Sequence, residues 1–299
     1  MSFSIGRKNE VNRGVAIARI KGSDDNGKYL YLKTYKRNIK DLPKKITERY
    51  TDEEYEILDD AIKSGLEPQD EKAQEEYYKL LDEFEIMKHK GFILKNGGKL
   101  MPLLNFNRNE RLYVTGSSGS GKTYFSTELI KQYLKHYKNN NLIIISGVDV
   151  NEDLQDLEPS IIDPVDLVQE PLRDDEIRDS IILFDDVLSI PNKLVRNNII
   201  AVINNLMETN RHTNTTLIII NHLINDFHNT RKILNESSSI TFFPKSSAKN
   251  NIKKYLKTYE GLNDKLIRKI VNLPSRAVSL YKGSELGEYI LYERGCFMI

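Results

Sequence analysis

Arg111-Leu112-Tyr113-Val114-Thr115-Gly116-Ser117-Ser118-Gly119-Ser120-Gly121-Lys122-Thr123 is the stretch that decides the fold. Its opening apolar run reads as a strand, and the octapeptide from Gly116 to Thr123 fits the pattern of a phosphate-binding P-loop. Glycines let a backbone wrap a phosphate closely, and the amides of the loop and of the following helix N-terminus supply positive potential. In that frame Gly116, Ser117, Ser118, Gly119, Ser120, Gly121 and Tyr124 are nucleotide-binding candidates. Lys122 reaches the outer phosphates and Thr123 offers a hydroxyl to Mg²⁺. Residues 124–137 continue with helical spacing, which is what must follow such a loop.

Working downstream, Ser180-Ile181-Ile182-Leu183-Phe184-Asp185-Asp186 is an apolar run that ends in two adjacent carboxylates. A buried parallel strand needs the apolar run, and ligands collect at the carboxyl ends of such strands. Asp185 is the candidate for holding Mg²⁺ through water, and Asp186 for polarising the attacking water. Neighbouring acids repel, which raises one pKa and suits a base. The bland alternative is an acidic turn after a core strand. Thr216-Leu217-Ile218-Ile219-Ile220 ends in Asn221-His222, and register decides which of the two faces a phosphate. Either can orient the water, or both can cap the strand. Arg211 closes the helical run 194–207, as a finger for transition-state charge in its own or a neighbouring subunit, or as a cation satisfying the helix dipole. Arg231 is its reserve.

Strand-like runs at 111–115, 142–146, 181–184, 217–220 and 240–243 alternate with helical or loop stretches, the mark of a parallel sheet with helices on both faces. One run lies between the P-loop strand and the acidic strand. In chain order this resembles the additional-strand class of P-loop ATPases, the RecA-like motors. No guanine-selecting Asn/Thr-Lys-x-Asp pattern occurs, so ATP is the expected nucleotide.

The first third reads differently. Residues 15–20 and 29–32 flank the turn Asp24-Asp25-Asn26-Gly27 as a hairpin. Residues 51–88 are acidic with helical spacing, broken near 65–68, and Asn96-Gly97-Gly98 marks a loop before the core. The end of the chain adds helical stretches at 248–259 and 264–271 and a hairpin of 278–281 and 289–292 around a turn at 283–287. The division expected is 1–99, a β-hairpin and acidic helical region; 100–245, the ATPase core; and 246–299, a basic helical and hairpin extension.

The chain of 299 residues carries a formal net charge of +1, which excludes a bulk electrostatic argument for nucleic acid. A local argument exists: Lys245, Lys249, Lys253, Lys254, Lys257, Lys265, Arg268 and Lys269 cluster, with Tyr255 and Tyr259 among them. Helical spacing puts Lys249, Lys253 and Lys257 on one face, as a stripe tracking phosphates or as plain soluble surface. The basic stretch 33–45 is equally open. A lone Cys296 precludes an intramolecular disulfide. No apolar run reaches bilayer length, and a soluble intracellular protein without membrane partners is the expectation.

GSSGSGKT, the IILFDD strand, the NRH element before LIIINH, and TRKILNESSSITFFPKS together resemble the poxvirus-type packaging ATPases of large DNA viruses, within the FtsK–HerA superfamily. Leu273-Pro274-Ser275-Arg276-Ala277-Val278 is similar to the same relatives. The resemblance covers about residues 100–281. It implies a RecA-like domain that assembles as a homo-oligomeric ring and hydrolyses ATP with Mg²⁺ to move double-stranded DNA into a capsid. It also implies a capsid or other virion protein as partner, and the host cytoplasm, a virus factory or the virion as location. Relatives often carry glycine where Asn210 stands, glutamate where Asp186 stands and glutamine near His222, so a slow or partner-stimulated ATPase is expected. Two rival readings keep the same site: a motor acting on a protein cargo or in virion assembly, and a nucleotide-binding scaffold without turnover.

Overall fold

The structure is a computed structural model and describes residues 2–33, 37–95, 97–224, 230–283 and 286–299. Residues 34–36 of the basic stretch, Asn96 of the loop and residues 284–285 of the C-terminal turn lie outside them. The chain opens with strands β1 (Ser2–Gly6), β2 (Val15–Ser23) and β3 (Tyr29–Lys33). Helices α1 (Asp52–Ser64) and α2 (Glu71–Lys90) follow, then β4 (Phe92–Ile93) and β5 (Gly97–Pro102). Next come β6 (Arg111–Thr115), α3 (Lys122–His136), β7 (Asn141–Ser146), β8 (Ser160–Ile162), β9 (Ser180–Asp185) and α4 (Lys193–Thr209). The remainder is β10 (Thr216–Asn221), α5 (Arg231–Glu236), β11 (Ser239–Phe242), α6 (Lys249–Thr258), α7 (Asp264–Val271), β12 (Val278–Tyr281), β13 (Tyr289–Tyr292) and β14 (Gly295–Met298).

A ten-stranded sheet runs in the order β4-β14-β13-β12-β11-β6-β10-β9-β7-β8. From β11 to β8 every neighbouring pair is parallel, and from β11 back to β4 every pair is antiparallel. β10 is inserted between the P-loop strand β6 and the acidic strand β9, which is the additional-strand arrangement that chain order implied. The central strands are buried along their whole length, so their sequences need no apolar–polar alternation. Alternate side chains still serve different layers. Tyr113, Ile182, Phe184, Leu217 and Ile219 pack with α4 to α7 on one face. Leu112, Val114, Ile181, Leu183, Ile218 and Ile220 pack with Phe125, Leu129 and Ile130 of α3 on the other. Each such fully buried side chain stabilises the fold by roughly 1.5–3 kcal/mol, so a one-residue slip of β9 or β10 is strongly disfavoured.

The N-terminal hairpin of β2 and β3 forms as its sequence predicts, but within a four-stranded sheet, order β1-β3-β2-β5. That sheet packs Ile17, Ile20, Leu30 and Leu100 against Leu291, Cys296 and Met298 of the C-terminal strands. Burial there pushes the Cys296 thiol pKa up, keeping the thiol protonated. α1 and α2 form a separate hairpin around Leu58, Ile62, Tyr77, Leu80 and Phe84. Thr51 and Glu54 cap α1 reciprocally, and Gly65 ends it with φ 74°, a left-handed turn that glycine adopts without steric cost. Among the described residues no helix is long and apolar enough to cross a membrane.

Candidate nucleotide site

The loop leaves β6 at Gly116, whose amide donates to the Asn221 carbonyl at 3.2 Å. A Cβ at Gly116 would lie 2.8 Å from Ser120 Oγ and 3.0 Å from Phe243, so the tight turn requires glycine there. Gly121 stands at φ 107° directly before α3 and supplies no side-chain cap, leaving the first amides of the helix for a ligand. Thr115 Oγ1 and Ser120 Oγ are buried hydroxyls without a hydrogen-bond partner beside the same loop. Arg276, which comes from the segment before β12, donates through Nε to the Ser120 carbonyl at 2.7 Å and through Nη2 to the Gly119 carbonyl at 3.2 Å. Its own amide is held by Glu293 at 2.9 Å. In the sequence Arg276 stands out only within the family resemblance, because its loop contacts span 156 and 157 residues.

Lys122 is 6 % exposed and donates to the carbonyls of Gly116 at 2.8 Å and Ser117 at 3.2 Å. Its Nζ also stands 3.4 Å from His222 Nδ1, and His222 Nε2 stands 2.9 Å from Asp186 Oδ2. An ammonium can only donate, so Nδ1 accepts and Nε2 carries the proton toward the carboxylate. Lys122, His222 and Asp186 thus form one relay at the mouth of the loop. Burial lowers the Lys122 pKa, opposed by the charges of Asp186 and Asp185. Asp185, 8 % exposed at the end of β9, is pushed up to about 6 by burial first and by the Asp186 charge second. Asp186 itself adopts φ 50°, a left-handed conformation sparse for a residue with a side chain, and its Oδ1 is buried without a partner.

Register gives Asn221 and His222 different partners. Asn221 donates to the Tyr113 hydroxyl at 3.0 Å, and Tyr113 in turn donates to the Leu223 carbonyl at 2.6 Å. The Asn221 side-chain oxygen accepts the His222 amide at 2.8 Å. Asn221 therefore holds the strand end that carries His222, while His222 is the residue joined to Asp186. Thr123 and Asp185 suit Mg²⁺, an ion that keeps several waters and takes one or two protein donors plus phosphate oxygens. Asp186 Oδ1 and Ser120 Oγ are buried without a hydrogen-bond partner, open polar atoms of the kind that such an ion's waters would satisfy.

Arg211 is not part of this cluster. It lies before β10, beside Arg108 and Arg111 at the amino end of the sheet, the length of β6 or about 15 Å from the loop. Within one chain it cannot touch the phosphate cradle. Arg231 is exposed at the first position of α5. The lysine stripe is only partly free: Lys257 pairs with Asp264 at 3.1 Å and Lys249 donates to Asn272 at 3.2 Å, while Lys253 is exposed. Tyr255 is fully buried with its hydroxyl on Glu260, so it cannot stack on a base.

Residues 63–272 match the family described as "Type III restriction enzyme, res subunit". The chain belongs to that family. It is also 38% identical over 200 residues to "Uncharacterized protein V3" of Sputnik virophage, spanning 66% of this chain and 80% of that protein. Among solved structures it is similar to the genome packaging NTPase B204 of Sulfolobus turreted icosahedral virus 2, with a TM-score of 0.43, 15% identity and coverage of 63% of this chain and 98% of that one. VirB4 of Thermoanaerobacter pseudethanolicus is similar with a TM-score of 0.43 and 10% identity, covering 69% of this chain and 95% of that one. With its loop, acidic strand and inserted strand, the core of this family member is a P-loop NTPase.

Proposed function

We propose that the chain is an Mg²⁺-dependent ATPase that moves double-stranded DNA into a viral capsid, working as a homo-oligomeric ring in the host cytoplasm. The observation that carries the catalytic part is the relay Lys122–His222–Asp186 at the mouth of an uncapped P-loop. Lys122 exchanges its two loop carbonyls for phosphate oxygens, and loop amides hold the chain of phosphates. Asp186 takes the proton of the attacking water, with His222 orienting its carboxylate and sensing the γ-phosphate. Thr123 and Asp185 would hold Mg²⁺, which when bound neutralises charge on the outer phosphates. Arg211, at the opposite end of the sheet, acts as a finger only into a neighbouring copy.

The cargo reading rests on the sequence resemblance to packaging ATPases and on the exposed cations Lys245, Lys253, Lys265 and Arg268. Backbone contact without base reading suits a motor that ignores sequence. The division into residues 1–99, 100–245 and 246–299 assigns the core to hydrolysis and the flanks to cargo and partners such as a virion protein. The deciding experiment is ATP turnover with and without duplex DNA, on the native chain and Lys122→Ala, at two salt concentrations. DNA-stimulated turnover that weakens at high salt and falls roughly 10²-fold or more in Lys122→Ala is expected. Native-level turnover in Lys122→Ala sinks the site; turnover indifferent to duplex DNA sinks the cargo. A protein cargo is the second reading, favoured by Leu66, 72% exposed, and Ile86, 63% exposed, on the acidic hairpin.

A further inference from the structure

A nucleotide is a linear ligand, so fixing one end of its phosphate chain fixes the direction of the other. The cleaved end must face Asp185 and Asp186, which stand at the end of β9, on the β10 side of β6. The nucleoside end then leaves the loop on the opposite side, where β11, β12 and β13 lie. A pocket of about 120 Å³ opens at that place, bordered by Gly121 and Tyr124 of the loop and α3, by Arg276, by Met101 of β5 and by Tyr292 of β13.

The chemistry of the pocket is that of a base site. Its floor is apolar: Phe125 and Phe243 meet edge to face with centroids 6.5 Å apart, and both are buried. Tyr124 follows the Mg²⁺-ligand candidate Thr123 and is 63% exposed, an unusual place for a large aromatic ring unless something covers it. Arg276 is pinned to the loop by its two carbonyl acceptors, and its guanidinium atoms come within 3.3 Å of where a Gly121 Cβ would sit. A flat cation and an aromatic ring on one apolar slot make a stacking platform for a heteroaromatic base.

One wall belongs to the N-terminal sheet through Lys99, Leu100, Met101 and Pro102 of β5, at the very start of the stretch that the family resemblance covers. That sheet is fastened around the pocket: Gln132 of α3 donates to the Pro102 carbonyl at 3.0 Å. Lys21 of β2 pairs with Glu128 of α3 at 2.9 Å, and Lys99 of β5 with Glu293 at 3.2 Å. We propose that this pocket holds the nucleobase and ribose of the nucleotide whose phosphates lie on the loop, which makes β5 of the N-terminal sheet a nucleotide-contacting element. The proposal rests on the phosphate cradle assigned above.

Calorimetric titration of the full chain with ATP and with inorganic tripolyphosphate, both with Mg²⁺, separates the two. The native chain binds ATP more tightly than tripolyphosphate. Tyr124→Ala and Met101→Glu each weaken ATP roughly 5- to 100-fold, the range of one lost base–aromatic stack, and leave tripolyphosphate within twofold. Unchanged tripolyphosphate affinity also shows that each variant is folded around an intact loop. Equal affinity of the native chain for both ligands overturns the pocket while sparing the cradle, as does ATP affinity that neither variant alters. Loss of ATP in Tyr124→Ala alone overturns the part assigned to β5. Failure of the native chain to bind either ligand overturns the cradle itself and the pocket with it.

Discussion

The two ends of the central sheet bury polar groups for opposite purposes. At the amino end Glu110, 2% exposed, is held by Arg108 at 3.1 Å and by the Ser238 hydroxyl. Arg111 donates to the Met207 carbonyl at 2.8 Å and faces Glu236 at 3.6 Å. Asn210 bridges to the carbonyls of Thr215 at 2.9 Å and Asn109 at 3.3 Å; among the described residues its Oδ1 and Arg111 Nε are left over there. These contacts tie loop 105–110, the end of α4 and the start of β10 together. At the carboxyl end one acid, Asp186, and Lys122 share a single histidine, and hydroxyls and a carboxylate oxygen go unpaired. Saturated polar groups lock a fold, whereas unsaturated ones cost stability and are kept where a ligand completes them. The difference marks one end as structural and the other as chemical.

The sharpest way to break that comparison is to remove chemistry from the carboxyl end. Asp186→Asn and Lys122→Ala should each lower ATP turnover by roughly 10²- to 10⁴-fold, with melting temperatures no lower than that of the native chain. A large loss of stability instead would mean that this end is structural as well. At the amino end Glu110→Ala should cost about 1–3 kcal/mol in denaturant unfolding, since it removes the carboxylate that accepts from Arg108 Nε and from the Ser238 hydroxyl. Turnover per folded molecule should stay within twofold of the native value.

A subtler test uses proton linkage. Burial and Asp186 raise the Asp185 pKa to about 6 in the folded state, so the native chain binds this proton more tightly than the unfolded chain does. That contribution is fully present below the unfolded carboxylate value of about 4 and is lost as pH rises through about 6. In chelator, Asp185→Asn should therefore be more stable than the native chain by about 2 kcal/mol at pH 7.5, and the gain should vanish near pH 4. A gain that persists at pH 4 would exclude titration of Asp185 as its cause. Smallest is the expected effect of Lys253→Gln, which should reduce the slope of log DNA affinity against log salt by about 0.9 without touching basal turnover.

Much of the core was legible because its signals are local. The run 180–186 reads as strand and acids in seven consecutive residues, and α1 announces itself by Thr51, Glu54 and Gly65. β14 and β1 were not foreseen. Gly295–Met298 is four residues long, and its strand character comes from pairing with β13 and from burial under the N-terminal sheet. Likewise Tyr255 lies in a lysine-rich helix, yet its ring belongs to the core face.

Sequence alone determined the phosphate loop, the acidic strand and the alternation that makes a parallel sheet, because glycine placement and apolar periodicity act over a few residues. Only tertiary structure decided that His222 rather than Asn221 meets Asp186, that Arg211 stands at the far end, and that Arg276 and β5 border the loop. Those outcomes depend on strand register and on packing between segments that are not neighbours in the chain, up to 156 residues apart for Arg276 and Ser120, which chain-local patterns do not encode.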